Sequence, residues 1–183
     1  MDNGASSYRR YLNGDESAFA EIVKDYFDNL VFFIDRYVKD YSAAEDIALD
    51  AFAQLAVYKH RYNFSVSLKT YLFMIGRSRA LDYIKHRNKF QMTELTEAMG
   101  IPSEEPPLED MLLTDARKKA IHSAMEQLDE EMRLVIHLTY FEEMTAAEVG
   151  KVLKKNKKQI YNLLYRGKNA LRTILGEEGE QLL

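Results

Sequence analysis

The chain has 183 residues, 46% of them apolar and 30% charged, with a formal net charge of −4, enough apolar material for one ordinary domain or two small ones. It has no Cys, which excludes disulfide frameworks, thiol catalysis and Cys-based zinc fingers; His60, His86, His122 and His137 lie scattered without metal-ligand spacing, so no metal site is expected. The start MDNGASSYRR lacks a basic patch followed by an apolar run, and no stretch of about 18 apolar residues occurs, so a soluble cytoplasmic protein without membrane insertion is expected.

Three Pro and eight Gly leave long helix-forming stretches, and alternating strand patterns are hard to find, so the predicted fold is all-α. Phe19, Ile22, Val23, Tyr26, Leu30, Phe33, Ile34 and Tyr37 recur at three and four, the period of one buried helix face, with Asp15 as its N-cap. A second helix is predicted from a capping box at Ser42 and Glu45 to about Lys59. After the loop RYNFSVS, a third long helix carries Leu68, Tyr71, Leu72, Ile75, Leu81 and Ile84 and ends in the basic run KHRNK. Residues 94–115 hold all three Pro and many acids without one base, and read as a flexible acidic linker between two small helical domains.

Beyond the linker, short helices are predicted from about Thr114 to Gln127, from the cap Asp129, from a second box at Thr145 and Glu148, and after Asn156, whose capping partner is Gln159. The domains expected are thus 1–93 and 116–176, followed by an acidic tail at 177–183.

The last helix carries the argument for function. Its start, KKNKKQIYNLLYRGK, is rich in Lys and Arg, and no acid occurs from Lys151 to Arg172. On a helix, Ile160, Leu163, Leu164, Gly167 and Leu171 share one inward side, leaving Lys157, Lys158, Gln159, Tyr161, Asn162, Tyr165, Arg166 and Lys168 as DNA-facing candidates. A merely solvated helix would mix Glu with Lys to gain i,i+4 pairs. These side chains are instead the types that contact phosphates and base edges. Joined to TAAEVGKVL by only KKN, the segment reads as a helix-turn-helix whose second helix enters the major groove; a basic helix that merely offsets the acidic linker is the plainer reading. No carboxylate pair with a His, Gly-rich phosphate loop or nucleophile motif is found, so neither enzymatic activity nor a cofactor is expected.

The stretch LDEEMRLVIHLTYFEEMTAAEVGKVLKKNKKQIYNLLYRGKNALR resembles region four of the bacterial extracytoplasmic-function sigma factors, and AEDIALDAFAQLAVYKHRYNFSVSLKTYLFMIGRSRALDYIKHRNK resembles their region two. The resemblance implies a transcription initiation subunit: region two grips core RNA polymerase and opens the minus-ten element of promoter DNA, and region four reads the minus-thirty-five element. It implies that Asp46, Asp50 and, as a neighbour, Phe52 meet the polymerase, where the residues alone are satisfied by a solvated acidic surface. It places Tyr62, Asn63 and Phe64, with Tyr71, Arg77, Ser78, Arg79, Lys85 and Arg87, at the minus-ten strand. Basic residues at that helix's end also complement the macrodipole. An anti-sigma factor is a further partner the resemblance raises. Tyr71 stands where the family commonly has Trp, Leu49 where it has Gln, and Lys154 and Lys155 where its turn is Gly-hydrophobic. A polymerase-independent regulator, with the first domain for dimerisation or sensing, would use the same C-terminal helices.

Overall fold

The computed structural model describes residues 4–94 and 116–176, so the expected linker and acidic tail lie outside it, apart from Glu94. The chain divides into two compact units, Met1–Ser103 and Glu104–Leu183, and every regular element among the described residues is helical.

In the first unit α1 (Ala5–Leu12) is a short helix that the apolar periodicity does not announce. It buries one side chain, Tyr8, whose hydroxyl donates to the carbonyls of Leu55 (3.1 Å) and Lys59 (3.0 Å). Gly4 precedes it at φ 82, where a Cβ would stand 2.9 Å from the Tyr26 ring. Helix α2 (Glu16–Val38) starts at the predicted cap: Asp15 accepts from the Ser17 N–H and also pairs with Arg10. Ile22, Leu30, Phe33 and Ile34 are fully buried, whereas Phe19, Val23, Tyr26 and Tyr37 are half-buried at the edges of that face.

Helix α3 (Tyr41–Val57) corrects the predicted start: Asp40 is the N-cap, accepting from the Ala43 N–H at 3.0 Å, and Ser42 lies inside the first turn. A carboxylate there both accepts the free N–H and meets the positive end of the helix dipole, so Asp40 outcompetes a hydroxyl. A 3-10 turn, Lys59–Arg61, follows. Helix α4 (Leu68–Glu94) begins where the Ser67 hydroxyl accepts from the Thr70 N–H. Helix α2 packs against α1, α3 and α4, and α3 against α4. Gly76 permits a close α2–α4 approach, since a Cβ there would stand 2.8 Å from Leu30 Cδ1.

In the second unit α5 (Ala116–Glu126), α6 (Glu130–Ile136) and α7 (Ala146–Leu153) surround the long α8 (Lys157–Leu175). Asp129 stands at the N-cap of α6, although its side chain makes no capping hydrogen bond. A π-helical turn, His137–Phe141, continues α6 and buries His137 and Leu138. Gly167 lets α8 press on α6: a Cβ would lie 2.7 Å from Ile136 Cδ1.

Candidate nucleic-acid and polymerase interfaces

Two capping boxes define the helix-turn-helix. The Thr145 hydroxyl accepts from the Glu148 N–H and the Glu148 carboxylate from the Thr145 N–H; Asn156 and Gln159 do the same for α8. Between them Lys154 adopts the left-handed conformation (φ 55), and the Lys155 N–H reaches back to the Gly150 carbonyl at 2.9 Å. The Lys155 ammonium pairs with Glu131 at 2.7 Å, pinning the turn to α6.

This frame buries Ile160, Leu163, Gly167 and Leu171 and half-buries Leu164. Lys157, Lys158, Asn162 and Arg166 are exposed, and so are the large rings of Tyr161 (60%) and Tyr165 (70%). Two predicted contacts are partly engaged within the chain. Gln159 spends its amide oxygen on the cap, and Lys168 is half-buried with its ammonium 5.0 Å above the Tyr140 ring. Lys157 and Lys158 occupy the first turn of α8, where cations oppose the macrodipole at a cost of a few tenths of a kcal/mol. The first turn of α8 thus carries two exposed lysines at the positive end of the helix dipole, a combination that suits an anion such as a phosphate.

In the first unit the loop between α3 and α4 divides by burial. Tyr62 is 3% exposed, with its hydroxyl on the Val66 carbonyl (2.7 Å) and its ring between Tyr8, Phe64 and Tyr71, so it forms the loop's floor rather than an open stacking surface. Asn63 is exposed and caps the Ser65 N–H. Phe64 is half-buried at φ 59. An aromatic residue in the left-handed region costs about 1–3 kcal/mol, the kind of outlier that collects at functional loops.

Along α4, Ser78 and Lys85 are exposed, Arg77 and Tyr71 are half-buried, and Arg79 donates to the Gln54 amide oxygen at 2.9 Å. Burial pushes the Tyr71 hydroxyl pKa up. Arg87 donates to the Val38 carbonyl at 3.1 Å, bracing the end of α2.

On α3, Asp46 and Asp50 are exposed and line a shallow depression of about 640 Å³ with Asp40, Ile47 and Tyr83, with Leu49 (54% exposed) between them. Phe52, at 3% exposure, packs on Phe19 and Phe27 in the core, because its position on α3 faces α2. Tyr8, Glu131 and Tyr140, which support these surfaces, carry no local signal because each acts through a contact distant in sequence.

Residues 22–90 match the model of sigma-70 region 2 and residues 118–171 that of sigma-70 region 4. The chain belongs to the extracytoplasmic-function class of the sigma-70 family. As such it is a non-enzymatic sigma factor that directs promoter recognition by RNA polymerase. It is 28% identical over 175 residues to the ECF sigma factor SigW of Bacillus subtilis (strain 168), covering 91% of this chain and 94% of that protein. Against the ECF sigma factor RpoE of Cereibacter sphaeroides the identity is also 28%, over 80% of this chain and 82% of the relative. Among solved structures, the fold resembles RpoE from Bartonella quintana in complex with the anti-sigma factor NepR (TM-score 0.67, 16% identity, 87% and 98% of the two chains). It also resembles CnrH in complex with the cytosolic domain of CnrY (TM-score 0.61, 19% identity, 94% of each chain). No helix among the described residues is long and apolar enough to cross a membrane.

Proposed function

We propose that this sigma factor reads the minus-thirty-five element with the exposed face of α8, with Lys158 and Asn162 reading bases beside Tyr161, and Lys157, Tyr165 and Arg166 on phosphates. The observation that carries the reading is the acid-free polar face of α8, mounted opposite buried Ile160, Leu163, Gly167 and Leu171 on a turn capped at both sides. Lys168, held against Tyr140, contributes charge from the edge of that face. Core polymerase binds the Asp46 and Asp50 side of α3, where Leu49 adds an apolar contact between two acids.

The opened minus-ten strand is held at the loop between α3 and α4, with Asn63 and Phe64 taking an extruded base over the Tyr62 floor. Arg77, Ser78, Arg79 and Lys85 follow the adjacent backbone, because a flipped base needs stacking and hydrogen bonds to offset its lost pairing. In this reading residues 1–93 act as region two and 116–176 as region four, joined by 94–115. A regulatory partner of the kind seen with Bartonella quintana RpoE, an anti-sigma factor, is part of the proposal.

The test is run-off transcription from a genomic fragment library by core polymerase with and without the purified chain. Discrete new transcripts that depend on the chain support the reading. Binding of palindromic DNA by a chain that never binds core transfers the function to a polymerase-independent regulator.

A further inference from the structure

Around the loop between α3 and α4 the structure gathers cations that sequence reading leaves unassigned. The Arg9 guanidinium lies 4.8 Å above the Phe64 ring, the Lys59 ammonium 4.3 Å above Tyr11, and the Arg61 guanidinium 4.1 Å above Tyr58. Cation–π contacts occur about once per 70–80 residues, so three around one loop mark a specialised surface. The first two meet at Tyr8, whose ring packs against Tyr11, Tyr62 and Phe64 while its hydroxyl holds the Lys59 carbonyl.

The charge around them is one-sided. No Asp or Glu occurs between Asp50 and Asp82, nor between Asn3 and Gly14. The adjacent Arg10 is neutralised by Asp15 and Glu21, whereas no carboxylate among the described residues pairs with Arg9, Lys59 or Arg61. Solvent-facing cations interleaved with aromatic rings form the surface that sequence-tolerant single-strand binders use, phosphates on the cations and bases on the rings.

We propose that α1 forms a second wall of the single-strand site, with Arg9, Lys59 and Arg61 holding phosphates of the displaced strand beside Asn63 and Phe64. The inference rests on the minus-ten reading above and extends it to residues of α1 and the 3-10 turn. In the free chain Arg9 covers the Phe64 face. A surface cation–π contact is weaker than a base stacked on an aromatic ring, so an incoming base takes the ring and Arg9 moves to the adjoining phosphate. The guanidinium thereby keeps the ring face from closing onto the protein until DNA arrives.

The test uses the full chain and a fluorescein-labelled oligothymidylate of about 12 nucleotides, with affinity measured by anisotropy across roughly 50–200 mM salt. Arg9→Gln should lower the slope of log affinity against log salt by about 0.7, and the Arg9→Gln, Lys59→Gln, Arg61→Gln variant by about 2. Arg9→Lys should keep the slope, which separates charge from stacking. Asn63→Ala with Phe64→Ala should weaken binding with the slope unchanged. No binding by the unmodified chain, or a full slope in the triple variant, overturns the proposal. So does a slope lost only with Lys158→Gln and Lys168→Gln on α8, or an Arg9→Gln defect confined to the thermal midpoint. If the cation variants lose slope while Asn63→Ala with Phe64→Ala binds normally, the wall stands and base capture falls; the reverse pattern removes the wall and leaves base capture standing.

Discussion

Gly150 lies directly under the Lys155 carbonyl: a Cβ on Gly150 would stand 2.6 Å from that oxygen. The atom it would meet is backbone, which cannot swing aside as a side chain can. Gly150→Ala should therefore destabilise the helix-turn-helix by about 1–3 kcal/mol and lower its affinity for duplex DNA. Thermal unfolding with duplex titration checks both, and an unchanged melting temperature would show that the turn relaxes at no cost.

Lys154 should respond in the opposite sense. Its φ of 55 is a left-handed conformation that suits Gly and costs other residues about 1–2 kcal/mol. Lys154→Gly relieves that strain but makes the unfolded chain more flexible, so a net gain of about 0.5–1 kcal/mol is expected. Denaturant unfolding monitored in the second unit measures it.

Tyr8 gives a pH signature. Burial, followed by the neighbouring tyrosines, raises its pKa from 10.0 to about 12. The folded state thus favours the neutral phenol: the stabilisation is complete below pH 10 and is lost as pH rises through about 12. Tyrosine absorbance should show a late-titrating group that Tyr8→Phe removes. The same substitution frees the Leu55 and Lys59 carbonyls and should cost about 1–2 kcal/mol at neutral pH.

Asp46→Arg with Asp50→Arg should abolish co-purification with core polymerase, because misplaced interfacial charge costs about 2–5 kcal/mol. Both side chains are exposed, so the melting temperature should hardly move. Core binding that survives in the folded variant would take the contact off this face of α3.

On α8, Asn162→Ala should relax preference at one base pair for about 1–3 kcal/mol, whereas Arg166→Ala should weaken every duplex alike and flatten the salt slope. Binding profiles across a randomised duplex library distinguish the two. Matching profiles would remove the division between base and phosphate contacts.

Most of the second unit was legible because its signals are local. A hydroxyl or amide followed three residues later by Glu or Gln is enough to start a helix, and both boxes form. The same logic misplaced the start of α3, because Asp40, two residues upstream of Ser42, is the better acceptor. Helix α1 stayed hidden since its one buried residue carries no periodicity, and its reward comes from carbonyls 47 and 51 residues away. Phe52 and Tyr62 show the same limit: residue type alone does not tell an open ring from an enclosed one, and only the packing of α2, α3 and α4 shows these rings to be enclosed. Arg87 looks like a free recognition group until its backbone acceptor is seen.

The π-helical turn at His137–Phe141 carries one residue more than an α-helical turn would, with the Glu142 N–H reaching back five positions to the His137 carbonyl. Downstream, the Met144 N–H is anchored on the Leu138 carbonyl. Deleting Thr139 would let an ordinary turn close over the gap, so the second unit should tolerate loss of a residue here where most helices would not. The deletion would rotate Tyr140 by about 100° and withdraw the ring beneath Lys168. The turn is thus a place where chain length can change while the phase of α8 against its neighbours is kept.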